Sequence, residues 1–407
     1  MTAASAVQFF IWLMIAASAI AIVAERLRIP YTVALVLGGL LIGSLRLSSL
    51  DAFGQNSHTN WLAPDVILLV FLPPLLFEAS LRINFRELRA ELVPILLLAN
   101  VGVFVATLFT GYMLHWTVKL PLLIAFLFGA IISATDPVSV LSVFKEVNVN
   151  KRLTLLVDAE SLMNDGAASV LFQLLLAGIL AGNNIHVPTG IVGFLLSVTG
   201  GTFVGLVLGY VASLITSRID DPQIEITLTA IVAYSSYLIA HHLHLSEVLA
   251  TVVAGITFGN LGVKTGMSER TLVALWAFWD YAAFVINSLV FLLIGMEVRS
   301  MDIVRDYRNI LLAVVAVLLA RMLCVYSLSP VSNLAAENIP LRWQHVLVWG
   351  GLHGALSLAL ALSLPLSFPY REQILVFTFG VVAFSIVIQG LTIAPLIRVL
   401  KIATRER

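Results

Sequence analysis

Long apolar stretches follow one another along almost the whole chain and are separated by short polar loops. A helix needs about 20 mainly apolar residues to cross a bilayer. The pattern therefore predicts thirteen membrane-spanning helices, which we number as spans 1 to 13 in chain order. Their approximate limits are 5–24, 31–50, 62–80, 91–114, 120–144, 153–181, 189–216, 223–243, 245–262, 271–297, 309–332, 343–366 and 372–399. Because no long polar stretch remains, we expect a single all-α membrane domain over residues 1–407, with no soluble domain.

The composition supports this interpretation, since 60% of the residues are hydrophobic, only 11% are charged and the mean hydropathy is +1.01. A soluble globular chain averages about 25% charged residues. Lys and Arg balance Asp and Glu at 23 each, so the bulk charge does not indicate a nucleic-acid partner, and none is expected. The first apolar stretch has no basic segment before it and nearly the full spanning length, so it is expected to be span 1 and not a cleaved signal peptide.

Basic residues indicate the orientation, because cytoplasmic loops of membrane proteins are enriched in Lys and Arg. With the N-terminus outside, sixteen of the 23 Lys and Arg residues fall on the cytoplasmic side and six on the other. The remaining one, Arg321, lies within span 11. We therefore predict an outside N-terminus and a cytoplasmic C-terminus. The loop that contains Arg299, Arg305 and Arg308 goes against this orientation.

Span 6 carries the polar sequence "DAESLMNDG", which begins at Asp158. Ser161 and Asp165 are four residues apart, as are Glu160 and Asn164, so all four side chains share one helix face. An ionisable group at membrane depth is costly unless it faces protein or water. We therefore expect this polar face to point into the protein. Asp158, nearer the start of the span, is expected at the membrane interface.

Span 5 contains the sequence Thr135-Asp136-Pro137. Proline lacks the backbone N–H and disfavours helical geometry in the residue before it, which predicts a break in the helix. Unwound backbone survives at membrane depth only where it is buried in protein or lines a cavity. The Asp136 carboxylate, together with freed carbonyl groups, supplies oxygen ligands of the kind that suit Na⁺ or K⁺.

Span 12 contains the sequence "WGGLHGALSL", in which Gly350, Gly351 and Gly354 lie within five residues. Glycine weakens a helix, which predicts a second break. Interrupted helices at matching positions in two halves indicate inverted repeats with a binding site near the membrane midplane. The predicted repeats cover about 5–181 and 223–399, and the span at 189–216 links them.

Arg321 needs a partner of opposite charge, because a buried charge without one is costly and arginine does not readily lose its proton. Glu160 is our candidate for this partner, in a structural ion pair. That assignment leaves Asp165 and Asp136 as the carboxylates free to exchange a cation or proton.

Four sequences carry a resemblance to a known family: "FLPPLLFEAS", "ATDPVSVLSVFKEV", "ESLMNDGAASVLF" and "WGGLHGALSLALALSLP". They resemble motifs of the monovalent cation:proton antiporter family of sodium/proton exchangers, and the likeness extends over nearly the whole chain. It implies a homodimer in the bacterial inner membrane, in contact with lipid, with a dimerisation domain and a mobile core in which spans 5 and 12 cross at their broken middles. The implied function is secondary antiport of Na⁺ or Li⁺ against protons by elevator-type alternating access, without enzymatic activity or a cofactor.

The resemblance also implies roles for individual residues. Asp165 corresponds to the main carrier of cation and proton. Asp136, Thr135 and Ser161 would complete the Na⁺ ligands, and Asn164 would support Asp136.

Glu160 and Arg321 resemble the buried ion pair of the family. His353 stands where many members carry arginine, and it is either a pH-sensitive replacement or a packed imidazole. Glu78, at the end of span 3, either lines the access path or anchors the cytoplasmic edge. Both are candidate modulators, and the sequence identifies no partner for Asp280.

A single exchangeable carboxylate predicts one proton per cation and no net charge moved, because Asn164 does not titrate. The family resemblance implies the same. Sequence does not distinguish Na⁺, Li⁺ and K⁺, since the same oxygen ligands serve all three, so a potassium/proton or broad cation/proton antiporter is the alternative. A channel and an intramembrane protease are more distant alternatives. A channel would line an oligomeric pore with rings of carbonyls or charges, whereas these polar residues cluster at two breaks within one chain.

Overall fold

The computed structural model describes residues 3–27, 29–44, 66–182, 187–298 and 305–402. Within these ranges every regular element is helical, which confirms the predicted all-α membrane fold. The helices are α1 (Ala3–Leu27), α2 (Tyr31–Ser44), α3 (Leu72–Leu81), α4 (Phe85–Ala90), α5 (Leu92–Leu96), α6 (Gly102–Thr117), α7 (Leu122–Ser133), α8 (Val138–Glu146), α9 (Lys151–Leu180), α10 (Val187–Thr216), α11 (Pro222–His242), α12 (Glu247–Gly266), α13 (Glu269–Val298), α14 (Tyr307–Ser332), α15 (Leu341–Trp349), α16 (Ala355–Leu362), α17 (Arg371–Phe384) and α18 (Gly390–Val399).

Three π-helical turns extend or join these helices and were not predicted from the sequence. They cover Ile67–Phe71 before α3, Leu97–Val101 between α5 and α6, and Ser385–Gln389 between α17 and α18. A π-helical turn adds one residue to a helical turn and often occurs at functional positions. The third turn contacts a predicted break, as described below.

Ten helical segments of the described residues are long and apolar enough to cross a membrane, and they coincide with predicted spans 1, 4 to 11 and 13. Spans 2 and 3 correspond to shorter apolar helices over Tyr31–Ser44 and Ile67–Leu81. Their predicted residues 45–50 and 62–65 lie outside the described residues, as does Arg299, which goes against the predicted orientation. Span 12 is divided into two short helices. The count of thirteen spans therefore stays a prediction.

Two helical interruptions lie at the predicted positions. The first break, residues 134–137, separates α7 from α8, and the second break, residues 350–354, separates α15 from α16. Residues 350–354 of the second break and residues 134 and 135 of the first are buried, and Asp136 and Pro137 are half-buried, so neither break is exposed. This location agrees with the requirement that non-helical backbone at membrane depth is shielded from lipid.

The two breaks lie against each other and share hydrogen bonds. The backbone N–H of Asp136 donates to the carbonyl of Leu352 at 2.7 Å. In the opposite direction, Nδ1 of His353 lies 3.0 Å from the carbonyl oxygen of Ala134. Backbone groups that lack a helical partner are thus paired across the two chain segments. The crossing of the helix axes stays a prediction.

Candidate functional site

The amide of Asn164 joins α9 to the first break. Its Nδ2 donates to Oγ1 of Thr135 at 2.7 Å and to Oε1 of Glu160 at 3.2 Å. Its Oδ1 accepts from the backbone N–H of Thr135 at 3.3 Å. The Thr135 hydroxyl also lies 2.8 Å from the hydroxyl of Ser161. Because both amide hydrogens and the amide oxygen are engaged, Asn164 holds the oxygen atoms of the break and of α9 in a fixed arrangement.

Glu160 and Arg321 form a bidentate ion pair in the interior. Nη1 and Nη2 of Arg321 donate to Oε1 and Oε2 of Glu160, both at 2.8 Å. Nε of Arg321 donates to the carbonyl of Leu347 at 3.2 Å. The Glu160 residue is only 2% exposed. This geometry satisfies both charges, as a buried pair requires, and it engages the Glu160 carboxylate fully.

Asp136 lies where two helix N-termini meet. Its Oδ1 accepts from the backbone N–H of Val138, at the start of α8, at 2.9 Å. The N–H of Ala355, the first residue of α16, also faces this carboxylate. Helix N-termini carry partial positive charge and favour anions. A Cβ at Gly354 would collide with the Asp136 carboxylate, so glycine is required at that position for the carboxylate to sit between the two helices.

Asp165 differs from the other acidic groups of the site because its Oδ1 is buried and has no hydrogen-bond partner among the described residues. It lies one turn beyond Ser161 on α9, and the charges of Asp136 and Glu160 act on it. Burial of an ionised carboxylate without compensation is strongly unfavourable. The Asp165 carboxylate therefore needs a proton or a cation.

His353 belongs to the contact between the breaks. A carbonyl oxygen only accepts hydrogen bonds, so Nδ1 of His353 carries the hydrogen that points to Ala134. The hydroxyl of Ser357 donates to the same carbonyl at 3.3 Å, and the backbone N–H of His353 donates to Oγ of Ser385 at 3.1 Å. These contacts describe a packed imidazole. Sequence analysis missed Ser357 and Ser385, although each is a polar residue within an apolar span.

Glu78 lies outside this cluster, at the end of α3. Nε of Arg82 donates to Oε1 of Glu78 at 2.6 Å, and Nη2 of Arg82 contacts Oδ1 of Asp280 at 2.5 Å. Asp280 thus has a partner that the sequence did not identify. The guanidinium also lies over the ring of Trp276, 4.7 Å from its centroid. Asp158 lies near the start of α9, and its Oδ1 is buried within the protein and has no hydrogen-bond partner among the described residues; its position at the membrane interface stays a prediction.

A cavity of about 30 Å³ lies beside the ion pair. Among the residues discussed above, its lining includes Thr135, Glu160, Asn164, Arg321 and His353. Asp136 and Asp165 do not line this cavity. The ion pair, the Asn164 amide, the His353 imidazole and Thr135 thus border a common space.

The membrane-spanning helices define a polytopic integral membrane protein, with buried carboxylate groups on α9 and the carboxylate of Asp136 at the first break. The family described as "Sodium/hydrogen exchanger, transmembrane" matches residues 13–399. The chain belongs to this sodium/hydrogen exchanger family.

Similar proteins support this assignment over nearly the full length. The chain is 42% identical over 401 residues to the Na(+)/H(+) antiporter NhaG of Bacillus atrophaeus, a match that covers 98% of this chain and 75% of that protein. It is 38% identical over 400 residues to the Na(+)/H(+) antiporter NhaH of Halobacillus aidingensis, with 98% of both chains covered.

A solved structure shares the fold. The sodium proton antiporter MjNhaP1 of Methanocaldococcus jannaschii at pH 8 superposes with a TM-score of 0.76 at 19% identity, over 100% of both chains. At this identity the similarity concerns the fold alone.

Proposed function

We propose that this protein is a secondary antiporter that exchanges Na⁺ for protons and that Asp165 carries both. The observation that supports this most directly is the buried Oδ1 of Asp165, which has no hydrogen-bond partner among the described residues. The relatives NhaG and NhaH are Na(+)/H(+) antiporters, which agrees with this proposal.

Competition for one carboxylate centre couples the two fluxes. With Asp165 and Asp136 both ionised, two like charges lie in a medium of low dielectric constant, where their repulsion is only weakly screened. Either a proton or a monovalent cation reduces this charge, and binding of one disfavours the other. The loaded centre is then less costly to move through the membrane interior than the empty centre. Translocation therefore requires a passenger in each direction.

The proposed ligand set is the one that the family resemblance implies. Asp165, Asp136, Ser161 and Thr135 supply the oxygen ligands for Na⁺, and Asn164 fixes Thr135 through its hydrogen bonds to that residue. Such oxygen donors suit hard monovalent cations.

Other polar residues support this centre. Glu160 and Arg321 form the structural ion pair. His353 holds the two breaks together, and Glu78 modulates access from the end of α3.

Exchange is proposed to be electroneutral, with one proton for each cation, because Asn164 occupies the position beside Asp165 and does not titrate. We also propose an elevator-type movement of a core domain within a homodimer. The core contains the crossing spans 5 and 12 of two inverted repeats, 5–181 and 223–399, linked by 189–216. The proposed location is a bacterial inner membrane, with the N-terminus outside and the C-terminus in the cytoplasm.

Proteoliposomes test the exchange and its stoichiometry. A pH-sensitive dye inside the vesicles reports proton movement while Na⁺, Li⁺ or K⁺ is added outside, and voltage is imposed by a K⁺ gradient with valinomycin in the Na⁺ and Li⁺ measurements. We expect saturable proton flux with Na⁺ that does not respond to voltage. K⁺-driven flux equal to Na⁺-driven flux would favour the alternative, a broad cation/proton antiporter, and a strong voltage response would contradict electroneutral exchange.

The variant Asp165→Asn tests the position of the site. Its matched control is Glu225→Gln, because both carboxylate oxygens of Glu225 are also buried without hydrogen-bond partners among the described residues, whereas Glu225 belongs to α11. We expect Asp165→Asn to eliminate proton flux at normal protein level and Glu225→Gln to retain it. Sodium-dependent flux in Asp165→Asn would refute the proposed site.

A further inference from the structure

The face of α9 that carries Asp165 extends toward the start of the helix through Ser161 to Asp158. The intervals of three and four residues place these three side chains on one face. At 1.5 Å per residue, Asp158 lies about 10 Å before Asp165 along the helix axis. This face therefore presents side-chain oxygen atoms about one helical turn apart, from Asp158 near the start of α9 to Asp165 at the proposed site.

We propose that Asp158 is a second binding position for the transported cation or proton, on the path between the end of α3 and Asp165. The inference rests on the proposed antiport function and adds a binding site to it. The ligand class is a hard monovalent cation or a proton, because the group offered is a carboxylate followed along the helix by a hydroxyl.

The first observation for this site is the buried, unpaired Oδ1 of Asp158. A structural carboxylate in a protein interior is normally paired or hydrogen-bonded, as Glu160 is. The charged groups that act on Asp158 are Glu78 on α3, Arg82 directly after α3, and Lys145 on α8. None of the described residues donates a hydrogen bond to Oδ1, so a cation or proton would satisfy an atom that the folded chain leaves unsatisfied.

The second observation is a group of charged side chains near Asp158, in which Arg82 joins Glu78 to Asp280 and in which the charges of Glu78 and Arg82 act on Asp158. Side-chain exposure falls from 64% at Asp280 to 39% at Arg82 and 17% at Glu78, and Oδ1 of Asp158 is buried. Arg82 bonds to both Asp280 and Glu78, so its charge is shared between two carboxylates. The carboxylates of this group offer oxygen ligands to a cation before it reaches Asp165.

Initial rates in oriented vesicles test the proposal. We compare wild type, Asp158→Asn and the control Glu225→Gln. The charged neighbours of Glu225 are Asp220 and Asp221, whereas those of Asp158 include Glu78 and Arg82. We expect Asp158→Asn to raise the KM for Na⁺ about fivefold, the effect of one partly screened charge contact, and to leave the maximal rate within about twofold of wild type. The change in KM is expected only at the membrane face on which Lys151, the first residue of α9, lies. Asp158→Glu, which keeps a carboxylate, is expected to restore the wild-type KM.

A measurement on the unaltered Asp158 side chain covers the case in which Asp158→Asn fails to fold. A carbodiimide modifies protonated carboxyl groups in apolar surroundings, and mass spectrometry locates the modified peptide. In the Asp165→Asn protein, where the main site is removed, we expect Na⁺ to protect Asp158 from modification and the larger organic cation choline not to protect it.

The outcomes separate the two proposals. If wild type exchanges Na⁺ for protons but Asp158→Asn keeps the wild-type KM, or if Na⁺ does not protect Asp158, this inference is wrong and the proposed function stands. A fall in maximal rate with unchanged KM also contradicts it, because that result indicates a purely structural role. If wild type shows no exchange at all, the proposed function itself fails.

Discussion

The two breaks interrupt buried helices in the same part of the molecule, but they are built from different residues. The first break contains Thr135, Asp136 and Pro137, so proline interrupts the helix and the adjacent aspartate supplies a charge. The second break has the sequence Gly-Gly-Leu-His-Gly over residues 350–354, which contains no carboxylate. The first break therefore supplies a carboxylate to the proposed site, and the second supplies space and hydrogen bonds.

The second break contributes mainly space, because its glycine residues have no side chain. A Cβ at Gly354 would collide with the Asp136 carboxylate, and a Cβ at Gly351 would lie 2.7 Å from Nε of Arg321. The carbonyl of Leu352, within the second break, accepts a hydrogen bond from the N–H of Asp136. In this protein the break without a carboxylate leaves room for the Asp136 carboxylate and accepts a hydrogen bond from the Asp136 N–H.

The largest effect is expected from removal of the charge of the first break. Asp136→Asn keeps the shape of the side chain but removes a carboxylate from the proposed Na⁺ ligands. We expect exchange to fall at least about 100-fold, since loss of a charged partner in a desolvated site costs about 3 kcal/mol or more. Proton flux in proteoliposomes, normalised to membrane protein, measures the loss.

The matched control for this variant is Asp306→Asn, just before α14, where the Asp306 side chain accepts a long hydrogen bond of 3.4 Å from Asn309. If flux in Asp136→Asn equals that of this control, the Asp136 carboxylate is not needed for binding of the transported cation.

A smaller loss is expected from a methyl group added to the second break. Gly354→Ala places its Cβ against the Asp136 carboxylate, so the carboxylate or α16 must shift. We expect about a tenfold lower rate, because small displacements in a pre-organised site have effects of this order. The control is Gly190→Ala on α10, where an added Cβ meets nothing within 4 Å. An unaltered rate in Gly354→Ala would mean that the space beside Asp136 is not needed.

Both breaks were predictable because each has a local cause. Proline and glycine change the backbone preferences at their own positions whatever surrounds them, so Pro137 and Gly350 indicate interruptions from the sequence alone. The pairing of Arg321 with Glu160 also follows from a simple requirement, since a buried charge needs an opposite one. The structure places these two side chains in bidentate contact.

Other features depend on contacts between distant parts of the chain and could not be predicted. Ser385 lies 32 residues after His353, and only the packing of a π-helical turn brings its hydroxyl to that backbone. The same limit applies to Asp158, because its burial depends on how α3 and α8 pack against α9. Helical spacing shows which side chains share a face, but it does not show which neighbouring helix covers that face.

A moderate effect on stability is expected at His353, which joins the two breaks. His353→Ala removes the ring and its hydrogen bond to the carbonyl of Ala134, whereas Ser357 still donates to that carbonyl. We expect the free energy of unfolding to fall by about 2 kcal/mol, the sum of a lost hydrogen bond and lost packing, and the KM for Na⁺ to change less than threefold. Thermal unfolding in detergent and flux assays measure the two quantities. A large rise in KM with unchanged thermal stability would instead make His353 part of the cation site.

The smallest effect is expected from Ser385→Ala, which touches the second break through one hydroxyl. Oγ of Ser385 accepts the N–H of His353 at 3.1 Å and donates to the carbonyl of Val382 at 3.0 Å. Its loss leaves one buried N–H without an acceptor, which costs about 1 kcal/mol. Ser363→Ala, at the end of α16, is the control, because its hydroxyl bonds only within its own helix. If the second break has only a structural role, Ser385→Ala lowers the thermal midpoint below that of the control and leaves the Na⁺ dependence of exchange unchanged. A shift in that dependence would show that the second break also affects cation binding at the first break.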